Sequence, residues 1–92
     1  MDCDREAHQL DRIELMGRKL TPLHWKILER VILAAGFRFA RQEGSHRSYV
    51  KVGILRPVVI PTYDEVPVAI IRNNLKTAGI SREEFFQLLD SI

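Results

Sequence analysis

The most regular pattern of apolar positions lies between Thr21 and Gly36. Apolar residues recur there at steps of three and four, the spacing of a helix with one apolar face: Leu23, Ile27, Leu28, Val31, Ile32 and Ala35. Thr21 can cap such a helix with its hydroxyl, and Pro22 suits the first helical position because the missing N–H would lack a partner there. Gly36 can take the left-handed conformation that ends a helix. The pattern therefore predicts a helix that begins at Thr21-Pro22 and ends before Gly36.

After Gly36 the period of the pattern changes to two, which is typical of strands. Three short stretches follow, over residues 37–42, 45–52 and 56–61, and turn residues Glu43-Gly44 and Gly53 separate them. Pro57 and Pro61 cannot donate to a ladder, so they favour an edge position for the third strand. Consecutive short strands joined by turns predict an antiparallel meander.

The same alternation predicts which face of the sheet each side chain occupies. Phe37, Phe39 and Arg41 are expected on one face together with Tyr49, and His46 is expected on the other. The predicted neighbours of His46 on its face are Ser48, Arg38 and Gln42.

Two further helices are expected after a loop over residues 63–67. The first carries an apolar stripe of Ile70, Ile71, Leu75 and Ala78 and ends at Gly79. Ser81 and Glu84 have the spacing of a capping box, which starts a short last helix with Phe85, Phe86, Leu88 and Leu89. Helices need an apolar surface to cover, and a meander offers one. The predicted fold is α+β, α-β-β-β-α with a three-stranded antiparallel sheet, helices packed on one face, and a short extra C-terminal helix.

Residues 1–20 read as an N-terminal extension that is flexible or partly helical, with Leu10, Ile13 and Met16 three positions apart, and residues 21–92 read as one domain. A chain of 92 residues has room for a single core. The sequence shows no apolar run long enough to span a membrane and no secretory signal. The one cysteine, Cys3, cannot form an internal disulfide. These features favour a cytoplasmic protein.

Charge is distributed unevenly, although the formal net charge is only +2. Between Gly36 and Arg56 the chain has one acid, Glu43, against five cations: Arg38, Arg41, Arg47, Lys51 and Arg56. A basic middle segment suits contact with a phosphate backbone. A solvated polar surface would have the same composition, so charge alone does not decide between the two interpretations.

The chemical inventory of the chain is short. Its three histidines share no helical spacing for metal ligands, it has no glycine-rich phosphate loop, and no organised base is evident near Cys3. We therefore expect neither a metal nor a cofactor. His46 lies within the basic segment, and an imidazole can take and give a proton near neutral pH. It could activate a ribose 2′-hydroxyl against the adjacent phosphodiester. A surface histidine without a catalytic role at the start of a strand is equally compatible with this pattern.

The run Gly36-Phe37-Arg38-Phe39-Ala40-Arg41-Gln42-Glu43-Gly44-Ser45-His46-Arg47-Ser48-Tyr49 resembles the signature of the HicA toxin family, also called YcfA-like. That signature has a Gly-Phe, a basic strand and then Gly-Ser-His. The resemblance continues through residues 58–61 and 71–85 and covers most of the chain from Leu20 to Leu89.

This resemblance implies a fold like that of a double-stranded-RNA-binding domain and a toxin of a type II toxin–antitoxin module. Such a toxin is an endoribonuclease that cleaves messenger RNA, with His46 as its catalytic residue and Gly44 and Ser45 shaping the motif. A HicB-like antitoxin protein is the implied partner. The candidate phosphate contacts are Arg38, Arg41, Arg47 and Lys51. Strand alternation predicts that Arg38 lies on the same face of the sheet as His46, whereas Arg47 and Lys51 are an odd number of positions from His46 and are predicted on the other face. The alternatives are a non-catalytic RNA-binding module and a protein that only binds an antitoxin.

Overall fold

Six elements of secondary structure follow one another in the computed structural model, which describes residues 19–92. They are α1 (Trp25–Ala34), β1 (Arg38–Glu43), β2 (His46–Val50), β3 (Val58–Pro61), α2 (Val68–Ala78) and α3 (Arg82–Ser91). This order confirms the one that the sequence predicts. The extension predicted over residues 1–20 lies outside the described residues except for its last two positions.

The three strands form one antiparallel sheet in the order β1-β2-β3, and the helices pack on one of its faces. Tyr49, Val58 and Ile60 turn toward the helices and are fully buried. The helices cover them with a shared set of apolar side chains: Leu28, Val31, Ile32, Ile71, Leu75, Ala78, Phe85 and Phe86. Burying one large aliphatic or aromatic side chain contributes about 1.5–3 kcal/mol, so burial of this core favours the folded state. The architecture is α+β and consistent with a double-stranded-RNA-binding-domain-like fold.

The first helix begins later than its sequence predicts. Its N-cap is His24, whose Nδ1 accepts a hydrogen bond from the Lys26 backbone N–H at 3.1 Å, and not Thr21. The reason is a tertiary contact. Leu23 and Val66 form an isolated antiparallel bridge, in which the Val66 N–H donates to the Leu23 carbonyl at 2.6 Å. Backbone paired in this way is extended, so the helix cannot start before it.

The ends of the other two helices agree with their sequence signals. Gly79 follows α2 with φ +73°, and the Ser81 hydroxyl accepts a hydrogen bond from the Glu84 N–H at 3.0 Å at the start of α3. Within residues 19–92, no helix has both the length and the apolar character needed to cross a bilayer.

Candidate active site

A tight hairpin places His46 at the first position of β2. Gly44 occupies the turn with φ +59°, a left-handed conformation that glycine adopts without the steric cost paid by other residues. The carbonyl of Ser45 accepts two hydrogen bonds from Thr62, from the backbone N–H at 2.7 Å and from the hydroxyl at 3.1 Å. The backbone just before His46 is therefore held by the segment that follows β3.

The side chain of His46 is exposed, on the face of the sheet turned away from the helices, which we call the open face. Tyr49 in the same strand is fully buried on the helix side, and successive side chains of a strand alternate. His46 and Ser48 are consequently on the open face, as the sequence predicts. Across the sheet, His46 pairs with Glu43 of β1 and with Pro61 of β3.

A register irregularity in β1 changes the neighbours that the sequence predicts for His46. Phe39 pairs with Tyr49 but Arg41 pairs with Ser48, so Ala40 is an extra residue in a β-bulge. A bulge shifts every later side chain to the opposite face. Arg41 therefore joins Arg38 on the open face, and Gln42 lies on the helix face. The expectation that Gln42 neighbours His46 and that Arg41 shares the face of Phe39 is wrong for this reason.

The charged groups of the open face are two arginines and one carboxylate. Arg41 Nη2 lies 3.7 Å from Glu43 Oε1, and both side chains are more than two-thirds exposed. A pair this exposed is worth less than about 1 kcal/mol, because water screens it. Both arginines are thus available to an incoming anion. Glu43, predicted as a turn residue, is the last residue of β1 and pairs with His46 through the register of the hairpin.

Arg47 lies on the other face, inside a polar cluster between β2 and α1. Its guanidinium donates to Tyr49 Oη at 2.9 Å, to Gln42 Oε1 at 2.7 Å and to Glu29 Oε2 at 3.1 Å. Tyr49 also donates its hydroxyl proton to Glu29. We call these four residues the Arg47 cluster.

Aromatic rings complete the surroundings of this guanidinium. Arg47 Cζ lies 4.1 Å from the ring centroid of Phe39 and 5.2 Å from that of Trp25. A cation over an aromatic face gains about 0.5–2 kcal/mol, more as water is excluded. The side chain is only 21% exposed, so the structure places Arg47 in contacts within the protein, away from His46. Its predicted role as a phosphate contact stays a prediction.

Burial and the hydrogen bond to Glu29 raise the pKa of Tyr49 to about 12, above the ordinary value near 10. The unfolded chain therefore loses this proton at a lower pH than the folded chain does. We expect the Tyr49 contribution to the free energy of unfolding to be constant below about pH 10. It should then fall by about 2 kcal/mol as the pH rises toward 12.

Urea unfolding at pH 8 and pH 11.5 measures this loss. Tyr49→Phe should remove it, because phenylalanine has no proton to lose, whereas Tyr63→Phe should leave it in place. An equal loss in the Tyr49→Phe protein would show that another group is responsible.

Lys51 is also engaged within the protein. Its ammonium donates to the carbonyl of Ala35, the C-cap of α1, at 2.7 Å and lies 5.6 Å from the ring centroid of Phe37. Gly36 leaves the space for this side chain, since a Cβ there would lie 3.2 Å from Lys51 Cε. Gly36 also has φ +100°, which disfavours any other residue. Lys51 therefore satisfies a helix-end carbonyl, and its predicted phosphate contact stays a prediction.

The part of the chain that the structure describes brings together no group of three or more histidine, cysteine, aspartate or glutamate side chains that could hold a metal ion. His24 Nε2 lies 3.7 Å from Oδ1 of the exposed Asp64, which is one carboxylate beside one imidazole.

Fold and site together define a class of small α+β proteins, in which a Gly-Ser-His hairpin exposes its histidine on the open face of a three-stranded sheet. Residues 25–80, more than half of the chain, match the sequence profile of the family described as HicA toxin of bacterial toxin-antitoxin. The chain belongs to this family, and the family resemblance of its sequence is confirmed. No curated protein sequence matches the chain.

Membership makes the chain a toxin of a toxin–antitoxin system and brings an antitoxin as its partner. The matched range includes the whole sheet, α2 and the Gly-Ser-His hairpin, so the open face lies within the part of the chain that defines the family.

Proposed function

We propose that this toxin is a metal-independent endoribonuclease of a type II module that cleaves messenger RNA in the cytoplasm, with His46 as its general acid or base. One observation carries the proposal. The bulge in β1 brings Arg41 to the face on which His46 is exposed, beside Arg38, so that a proton carrier and two anion contacts share one accessible surface.

The reaction that this surface supports is an intramolecular transesterification of RNA, in which the 2′-hydroxyl of a ribose attacks the adjacent phosphodiester. A base removes the proton of the 2′-hydroxyl, the 2′-oxygen attacks the adjacent phosphorus, and the bond to the 5′-oxygen breaks as that oxygen takes a proton. The products are a 2′,3′-cyclic phosphate and a 5′-hydroxyl. The nucleophile belongs to the RNA, so the protein needs only proton transfer and stabilisation of the charged phosphorane.

His46 can act at either proton transfer, because an imidazole both accepts and donates near neutral pH. Water is one source of the second proton, and Glu43 is the carboxylate that pairs with His46 across the strands. Arg38 and Arg41 would hold the phosphate and stabilise the negative charge that develops on it. Gly44 and Ser45 shape the turn from which the imidazole projects.

We further propose that the antitoxin of this family member is HicB-like and blocks RNA access to the open face. Surfaces that expose two arginines and a histidine are complementary to an acidic protein surface. Covering them would exclude the RNA phosphate and the attacking hydroxyl together.

The test is incubation of the purified full chain with end-labelled single-stranded RNA of mixed sequence in the presence of EDTA. We expect cleavage into fragments with 2′,3′-cyclic phosphate and 5′-hydroxyl ends. Cleavage only after a divalent cation is added would contradict metal independence. Binding that weakens steeply with salt while the RNA stays intact would instead identify a non-catalytic RNA-binding module. If the chain neither binds nor cleaves the RNA, the result would favour a protein that only binds an antitoxin.

A further inference from the structure

A second surface of the protein combines positive charge with an apolar floor. It is a pocket of about 550 Å³ between the start of the described chain, the last turns of α2 and the start of α3. Its rim holds four cationic side chains: Lys19, Arg72, Lys76 and Arg82. Its floor holds three aliphatic ones: Leu20, Leu75 and Ile80. We call it the basic pocket.

Among residues 19–92, the lining of the basic pocket contains no carboxylate. Within residues 19–92, Lys19, Arg72 and Lys76 have no ion-pair partner. Like charges gathered around one concavity repel each other and concentrate the positive potential inside it. A negatively charged ligand would relieve this repulsion.

The basic pocket is distinct from the proposed RNA site. Its lining belongs to the helical layer and to the segment before α1, whereas His46, Arg38 and Arg41 are on the face of the sheet turned away from the helices. An RNA strand on the open face would have to pass around the sheet to reach it.

We propose that the basic pocket binds a segment of a partner protein in which acidic residues flank an aliphatic one, and that the antitoxin supplies this segment. Aspartate and glutamate carboxylates would pair with the rim, and a leucine, isoleucine or valine would cover Leu20, Leu75 and Ile80. Lys19, Arg72 and Lys76 would then each face an anion, and the aliphatic floor would be covered. A nucleic acid fits less well, because the lining residues that the structure describes include neither an aromatic ring for base stacking nor a neutral polar side chain for base edges.

The experiment measures binding of fluorescein-labelled synthetic peptides to the full chain by anisotropy. The probe is an eight-residue peptide with two leucines flanked by glutamates; one control replaces the leucines with glutamine, and another replaces the glutamates with glutamine. We expect a Kd below about 1 mM for the probe and binding at least tenfold weaker for both controls. Equal binding of the leucine-free peptide, or no binding by the probe, would overturn the proposal.

Protein variants locate the binding. Arg72→Gln/Lys76→Gln should weaken probe binding at least tenfold, and both side chains are exposed, so the fold should survive. Arg56→Gln is the matched control because it removes an exposed cation of the β2–β3 loop outside the pocket. A similar loss in both proteins would show non-specific charge attraction and contradict the proposal. Single-stranded RNA that displaces the probe from the unsubstituted chain, but does not do so from the double variant, would identify the pocket as an RNA site instead.

This inference does not depend on the nuclease proposal, since it is scored by peptide binding and not by RNA cleavage. Circular dichroism of the double variant, with a thermal midpoint within a few degrees of the unsubstituted chain, confirms that a loss of binding is not a loss of fold.

Discussion

Replacing His46 with alanine is expected to lower the rate of RNA cleavage by about two to four orders of magnitude, the contribution typical of a positioned general acid or base. The nucleophile and the leaving group both belong to the RNA, so removal of the imidazole leaves proton transfer to water. The rate is measured on end-labelled RNA under single-turnover conditions with enzyme in excess. Expression of the same variant in growing cells should no longer inhibit growth.

The fold should be insensitive to this change. His46 is exposed, and substitutions at exposed positions away from special contacts are usually within about 0.5 kcal/mol in stability. His24→Asn is the matched control, because it removes a second histidine, at the N-cap of α1, while asparagine can still cap that helix. Full cleavage by the His46→Ala protein would refute the catalytic assignment. A comparable loss in the His24→Asn protein would show that the assay reports stability and not catalysis.

Replacing Glu29 with alanine is expected to destabilise the folded domain by about 3 kcal/mol, because it breaks the Arg47 cluster at its one carboxylate. The guanidinium of Arg47 and the hydroxyl of Tyr49 would both lose an acceptor. The Glu29 and Arg47 side chains are only 19% and 21% exposed, so water replaces the lost contacts poorly. Breaking a fully buried ion pair costs about 3–5 kcal/mol, and partial exposure places this pair at the low end.

Urea unfolding at pH 7 measures the change, and a double-mutant cycle with Arg47→Ala isolates the pairwise part. Glu29→Gln retains a hydrogen-bond acceptor without the charge, so its free energy of unfolding should fall by less than that of Glu29→Ala. Glu65→Ala, in the exposed loop before α2, is the control for removal of a carboxylate and should change stability by less than about 0.5 kcal/mol. A loss below about 1 kcal/mol for Glu29→Ala would show that the cluster contributes little to folding.

The Arg47 cluster joins the two parts of the molecule on which the site depends. Glu29 belongs to α1, and Arg47 directly follows His46 in β2. The contact therefore fixes the start of β2 against the helical layer from the side opposite to the imidazole. Ser45 and Thr62 fix the same strand end from the direction of β3. These two sets of contacts leave His46 at a defined place on the sheet while its side chain stays accessible.

Local sequence patterns predicted the order and type of the elements because each depends on neighbours within a few positions. The three- and four-residue spacing from Leu23 to Ala35 and the alternation around Tyr49 are properties of single segments. The start of α1 was predicted too early, because Leu23 forms a bridge with Val66 instead of joining the helix. These residues are 43 positions apart in the sequence, so no local pattern indicates the bridge.

The composition of the open face was predicted in part. His46, Ser48 and Arg38 follow from regular alternation, and the structure places all three there. The exchange of Arg41 for Gln42 does not follow, because alanine at position 40 is compatible with a regular strand and with a bulge alike. The choice depends on how β1 pairs with β2, which a single strand does not contain.

By itself, the sequence determined a small α+β fold with a histidine displayed from a Gly-Ser-His hairpin, since helical spacing, strand alternation and the turn motif are all local. Its membership of the HicA toxin family followed from the resemblance of these motifs to the family signature and from the family match. Only the tertiary structure decided which cations stand beside that histidine and which are held elsewhere. Arg47 contacts Glu29 across 18 positions of sequence, and Lys51 contacts the carbonyl of Ala35 across 16. Contacts at such separations form when whole elements pack together, so the pattern within either element cannot specify them.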